Sequence, residues 1–178
     1  MPGDKAEHPR ATPLIIKLNN NDLTDITNLD AAIEKIADIS KVITLDLSFN
    51  SIFTLEGAFN SFPALRRLYL HSNQISRLDT VLHIQTDCPE VRARQTHPTP
   101  LLQLLHTLFH SFSIQISNLT LHGTPLRERR TYRAHVLSLL PHLKSLDFST
   151  TTPSEFRGAL QWRRDVEAQK KLRLPRTA

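Results

Sequence analysis

Two aliphatic residues one position apart, then two arbitrary residues, a polar residue and a last aliphatic, recur along this chain. The first copy is Ile16-Lys17-Leu18-Asn19-Asn20-Asn21-Asp22-Leu23, and the second is Leu45-Asp46-Leu47-Ser48-Phe49-Asn50-Ser51-Ile52. The third is Leu68-Tyr69-Leu70-His71-Ser72-Asn73-Gln74-Ile75. The fourth, Leu119-Thr120-Leu121-His122-Gly123-Thr124-Pro125-Leu126, has Thr124 in place of Asn. A fifth, degenerate copy reads Leu143, Leu146, Phe148 and Thr151. Alternation with period two predicts a short strand in each copy, its aliphatics facing inward. The Asn at the strand exit has a side chain suited to bonding backbone groups of the turn. Between copies, Leu29, Ala32, Ile33 and Ile36 predict a helix from Leu29 to about Ile39. Leu101, Leu102, Leu104, Leu105, Leu108, Phe109 and Phe112 predict another on the convex side. Gln85 to Pro100 is polar and carries Pro89, Pro98 and Pro100, so it predicts an exposed insertion loop.

These offsets are the leucine-rich-repeat pattern. One such repeat cannot bury its own apolar edge, so neighbours must stack. The expected fold is α/β: a solenoid of five repeats with short parallel strands on the concave face, helices and turns on the convex face, and a helical C-terminal cap. Residues 1–12 are expected to be a disordered start and residues 13–152 the repeat domain, with an insertion at about 79–113. Residues 153–178 are expected to form a C-terminal helix and basic tail. Tyr132, Val136, Leu139 and Leu140 share a helical face, and Pro141 stops that helix. Thr152-Pro153-Ser154-Glu155 reads as a capping box with Pro at the first helical position, opening a final helix with Phe156, Leu160 and Trp162.

Composition supports repetition and removes several functions. Leucine accounts for 28 of the 178 residues, against 8 Phe, 2 Tyr and 1 Trp. The four glycines (Gly3, Gly57, Gly123, Gly158) are too scattered for a phosphate-cradling loop. The single Cys88 allows no internal disulfide and no zinc site needing two cysteines, which points to a reducing compartment. No apolar segment reads as a secretory signal or a membrane span, so the expected location is cytoplasmic. Residues 1–60 carry five Lys/Arg against nine Asp/Glu, and residues 61–178 seventeen against eight, so the halves are −4 and +9. The basic end, with Arg163, Arg164, Lys170, Lys171 and Arg173, suits an acidic surface. Beyond Phe156 and Trp162 no aromatics interleave these cations, which makes nucleic acid the less favoured partner.

No catalytic, metal or cofactor set emerges. His106 and His110 have helical metal-ligand spacing, but no carboxylate lies between them in a metalloprotease arrangement. Ser48, His71 and Asp46 fall on neighbouring strands without a nucleophile elbow or oxyanion hole. The expectation is a binding protein, not an enzyme. Residues between the inward leucines face out of the concave sheet. They include Lys17, Asn19 and Asn20, then Asp46, Ser48 and Phe49, then Arg67, Tyr69, His71 and Ser72, and finally Thr120, His122 and Asp147. The partner-binding candidates are Lys17, Asp46, Phe49, Arg67, Tyr69, His71 and His122. Tyr69 with Phe49 and Arg67 is the expected hot spot, given how often Tyr and Arg anchor interfaces.

The phrases LDLSFNSI, LRRLYLHSNQISRL and LTLHGTPLRERRTYRAHVLSLLPHLKSLDFS resemble the short leucine-rich-repeat proteins that include phosphatase regulators and a splicing-particle component. The third phrase is the most specific and resembles their C-terminal cap, carried here by Tyr132, Arg133, Leu140, Pro141, Leu143, Leu146 and Asp147. The resemblance covers roughly residues 14–165, interrupted at 79–113. It implies a small structural subunit of a large assembly, the ciliary axoneme, with axonemal proteins as partners. A ribonucleoprotein scaffold and a phosphatase regulatory subunit are the alternatives.

Overall fold

The computed structural model of the protein describes residues 12–59, 61–85 and 116–173. The aliphatic pairs form β1 (Leu14–Lys17), β2 (Val42–Asp46), β3 (Arg67–Tyr69), β4 (Asn118–Thr120) and β5 (Ser145–Leu146). They pair in chain order and in parallel, so that Ile16, Leu45, Leu68, Leu119 and Leu146 fall in one row. Beyond the strands the ladder continues, with Leu18 N–H donating to Asp46 O, Leu47 N–H to Tyr69 O and Leu70 N–H to Thr120 O. A second row, Leu18, Leu47, Leu70 and Leu121, therefore aligns as well. Leu47, Leu70 and Leu121 are wholly buried, and Leu18, on the outermost repeat, is partly so.

The Asn residues hold neighbouring repeats together. Asn73 Nδ2 donates to Leu47 O of the previous repeat (2.9 Å) and to Leu70 O of its own (3.0 Å), while its Oδ1 accepts from Ile52 N–H (3.0 Å). Asn50 repeats the arrangement one layer earlier, donating to Leu18 O and Leu47 O and accepting from Leu23 N–H. Each amide fills backbone groups that burial would otherwise leave without partners. Thr124 does part of the same work, its hydroxyl donating to Leu121 O at 2.6 Å.

The convex side is built from α1 (Leu29–Glu34), a 3-10 turn at Ile39–Lys41, a 3-10 turn at Leu78–Val81 running into α2 (Leu82–Gln85), and a 3-10 turn at Pro125–Glu128. Then come α3 (Tyr132–Leu139) and α4 (Pro153–Arg173). The core lies between sheet and turns, where Phe59 and Phe62 join Ile52, Leu55 and Leu65.

Several elements differ from the sequence expectation. α1 stops at Glu34, leaving Ala32 exposed and Ile36 84% exposed. Asp38 accepts from Ser40 N–H and opens a tight turn, so the chain bends into β2 where periodicity would have continued the helix. Of the stretch 79–113 the described residues end at Gln85; among them Thr80, Val81 and Ile84 are buried and pack in the core of the third repeat. The helix expected around Leu101 to Phe112, and the start at residues 1–11, lie outside the described residues. The fifth copy does not place Phe148 inward: Asp147 and Phe148 take left-handed backbone (φ 51° and 62°) and turn the chain into β6 (Ser149–Thr150), which pairs antiparallel with β5. Phe148 is left 71% exposed.

The cap follows its sequence closely. Tyr132, Val136, Leu139 and Leu140 are buried, and the Tyr132 hydroxyl donates to Asp147 Oδ2 at 2.9 Å. The capping box forms: Glu155 N–H donates to Thr152 Oγ1 (3.2 Å), and Thr152 N–H to Glu155 Oε2 (2.8 Å). Arg133 Nε meets Glu155 Oε1 at 2.7 Å, which ties α3 to the start of α4. In α4 the inward residues are Ala159, Phe156 and Trp162, while Leu160 turns outward at 44% exposure.

Candidate functional site

At the exit of each of the first four strands one residue sits in the left-handed region: Asn20 (φ 59°), Phe49 (54°), Ser72 (55°) and Gly123 (70°). This turn lets the following Asn or Thr fold back onto the ladder. Glycine suits the fourth copy, because at its positive φ a Cβ would press on Ser72, 3.0 Å from Oγ and 3.3 Å from the backbone N. Phenylalanine at the second copy is unusual, since a bulky residue at positive φ is strained.

That strained residue opens a row of rings across the exit edge of the sheet. Phe49 meets His71 edge-on at 5.1 Å between centroids, and His71 stacks on His122 at 4.5 Å and 11°. His122 in turn meets Phe148 at 5.3 Å. Both terminal phenylalanines are exposed and both are held in left-handed backbone. His71 Nδ1 and Thr120 Oγ1 are 2.9 Å apart. Burial, reinforced by His122, lowers the His71 pKa below the usual 6.5, and Asp46 and Asp147 partly oppose this. His71 is therefore neutral at pH 7 and behaves as an aromatic plate. His122 Nδ1 is buried without a hydrogen bond, 3.7 Å from Asp147 Oδ1.

The concave carboxylates already have partners. Asp46 Oδ1 accepts from Ser48 N–H (3.1 Å) and Ser48 Oγ (2.6 Å). Asp147 accepts from Leu121 N–H (2.7 Å), His122 N–H (2.9 Å) and Tyr132 OH, so it organises the cap where an outward-facing residue was expected. Lys17 and Arg67 are exposed, and Arg67 donates only to Thr44 Oγ1 at 3.3 Å among the described residues. Tyr69 is half-buried on the same face, but the ring that meets Phe49 is His71. The structure thus groups Phe49, His71 and His122, which the sequence nominated, with Phe148, which it did not. The repeat offset puts Phe148 at an inward position of the fifth copy, and no local signal announces the hairpin that turns it out.

In the basic segment, Arg163 Nε pairs with Glu167 (3.0 Å) and its NH1 donates to Ser138 O (3.2 Å), so it pins α4 to α3. Arg164 is exposed. The side chains of Lys170, Lys171 and Arg173 lie outside the described residues. A cavity of about 280 Å³ lined by Leu82, Leu139, Trp162 and Val166 lies where α2, α3 and α4 meet. Among the described residues no three His, Cys, Asp or Glu side chains gather as metal ligands, and His106 and His110 lie outside them.

One short parallel strand per repeat, an Asn ladder between repeats and a helical C-terminal cap define a leucine-rich-repeat domain, a fold that serves protein interaction. The chain belongs to the family of leucine-rich repeat-containing protein 51. It is 32% identical to the Bos taurus member over 162 residues, covering 90% of this chain and 71% of that one. It is 30% identical to the Rattus norvegicus member over 158 residues, or 88% and 69% of the two chains. U2 small nuclear ribonucleoprotein A' of Saccharomyces cerevisiae is 28% identical over 86% of this chain and 50% of its own. Among solved structures, a chain of the Drosophila melanogaster SNF/U2A' complex aligns with a TM-score of 0.56 at 18% identity, covering 88% of this chain and 84% of its own. No protein-family model matches the chain.

Proposed function

We propose that the chain is a non-enzymatic adaptor that grips a partner protein with its concave face. The observation that carries this reading is the Phe49–His71–His122–Phe148 row: two exposed aromatics held in strained backbone and joined by stacked imidazoles. The left-handed turn serves the Asn ladder, but Asn20, Ser72 and Gly123 make it with smaller residues, so a strained phenylalanine kept at that position points to use. Tyr69, Asp46, Lys17 and Arg67 frame the row, and Arg164 with the residues after it offers charge to an acidic neighbour. We place the adaptor in the cytoplasm, within a large assembly. The family resemblance suggests the ciliary axoneme and axonemal proteins. Affinity purification from ciliated cells with the wild-type chain and with Phe49→Ala/Phe148→Ala tests both parts. The adaptor reading expects axonemal proteins to be lost with the double variant while thermal unfolding stays within about 0.5 kcal/mol of wild type. Identical proteins recovered by both chains would refute it.

A ribonucleoprotein role is the second reading, favoured by the likeness to U2 small nuclear ribonucleoprotein A'. It expects RNA binding that weakens steeply with salt and disappears on removing residues 163–178.

A further inference from the structure

Donors and acceptors on the concave face are unequally engaged. Asp147 accepts from Leu121 N–H, His122 N–H and the Tyr132 hydroxyl, and Asp46 Oδ1 accepts from Ser48, so both carboxylates are held by their own chain while keeping their negative charge. Lys17 has no ion-pair partner among the described residues, and the Arg67 guanidinium, with five N–H donors, makes one long bond to Thr44. Asp147 is mostly covered and Asp46 is half-buried, so the exposed charged side chains of the face are the cations Lys17 and Arg67, partly offset by Asp46 beside Lys17. Beside them stands the ring row, neutral and apolar. Lys17 on β1 is level with Tyr69 on β3, two strands away, so it lies roughly 12 Å from Arg67, two residues earlier on β3. Arg67 lies four residues, about 13 Å, before His71 along its own chain direction.

We infer that the concave face takes an acidic segment of a partner protein that carries an apolar anchor, its carboxylates on Lys17 and Arg67 and its anchor on the Phe49–His71–His122–Phe148 rings. This rests on the adaptor reading and specifies its partner's chemistry. Carboxylate on guanidinium gives charge-assisted, geometrically selective bonds, and the exposed phenylalanines supply the apolar area that anchors an interface. Single-stranded RNA fits less well. The imidazole faces are stacked on each other, so they present no open platform for bases, and two separated cations are a short track for a phosphate backbone.

The test pans a displayed library of random 16-residue peptides on the full chain and measures the enriched peptide, made synthetically, by fluorescence anisotropy. The expected consensus combines a Leu, Phe or Trp with two or more Asp or Glu. Its affinity should fall at least tenfold in Lys17→Glu/Arg67→Glu, and by several-fold in the milder Lys17→Gln/Arg67→Gln. A similar tenfold loss is expected in Phe49→Ala. Replacing the peptide's acids with Lys should restore binding to the charge-reversed chain. A neutral or basic consensus that needs Phe49 but ignores Lys17 and Arg67 would overturn the acidic assignment and leave the concave adaptor reading standing. A peptide indifferent to both Phe49→Ala and Phe148→Ala, or no enrichment at all, would overturn both. Displacement of the peptide by a random single-stranded RNA of equal or higher affinity would overturn it in favour of nucleic acid.

Discussion

Single residues on this face and behind it do separable jobs. Leu70 is wholly buried between neighbouring leucine rows, so Leu70→Ala should cost about 2–5 kcal/mol in a denaturant titration. Asn73→Ala should cost about 2–3 kcal/mol, because the Ile52 N–H and the Leu47 carbonyl would be left buried without their partner. An effect under about 0.5 kcal/mol at either position would contradict the stacking described. Phe49 behaves in the opposite way. Asn tolerates left-handed backbone, so Phe49→Asn should raise stability by about 1 kcal/mol while weakening partner binding. A destabilised Phe49→Asn chain would mean that the ring holds the fold together. The inward leucines and the Asn residues were legible from their offsets, since burial and turn chemistry repeat with them. The partner of Phe49 was not, because which exposed ring meets which depends on how two turns are set side by side.

At the scale of elements, the strands and the start of α4 follow local rules, and the convex helices follow them less. Glu155 shows the local kind. Arg133 chiefly, together with the Thr152 amide, holds its pKa down at about 2 from 4.5. A depressed carboxylate stabilises the fold above its unfolded pKa, and that contribution is lost as pH falls from about 4.5 through about 2. The side chain is about one-third exposed, so the Arg133 pair itself contributes under about 1 kcal/mol. Replacing the carboxylate in Glu155→Gln should destabilise the chain at pH 7, and the gap to wild type should narrow on acidification across that window. A gap independent of pH in matched melts would mean the carboxylate charge contributes nothing. α1 shows the opposite kind: the spacing of Leu29, Ala32, Ile33 and Ile36 suits a longer helix, yet the Asp38 turn and the need to reach β2 end it at Glu34.

For the whole molecule, the cap closes the last repeat. Tyr132 and Asp147 join α3 to the end of β4, and α4 then covers α3 through Ala159, Phe156 and the Arg163–Ser138 bond. A solenoid whose final repeat is uncovered exposes an apolar edge. Removing residues 153–178 should therefore lower the unfolding midpoint and increase hydrogen exchange first in α3. Unchanged exchange there would show that α4 is an appendage and not part of the cap.

The repeat itself, its inward rows, the Asn ladder, the helical cap and the capping box were set by sequence alone, because each depends on residues a few positions apart whose burial or hydrogen bonding repeats along the chain. The antiparallel turn at Asp147–Phe148, the pairing of His71 with His122 and the engagement of the concave carboxylates were decided only in three dimensions. The ring row brings together side chains from different repeats, ninety-nine positions apart between Phe49 and Phe148 and fifty-one between His71 and His122, and the spacing within one repeat carries no information about what the next repeat places beside it.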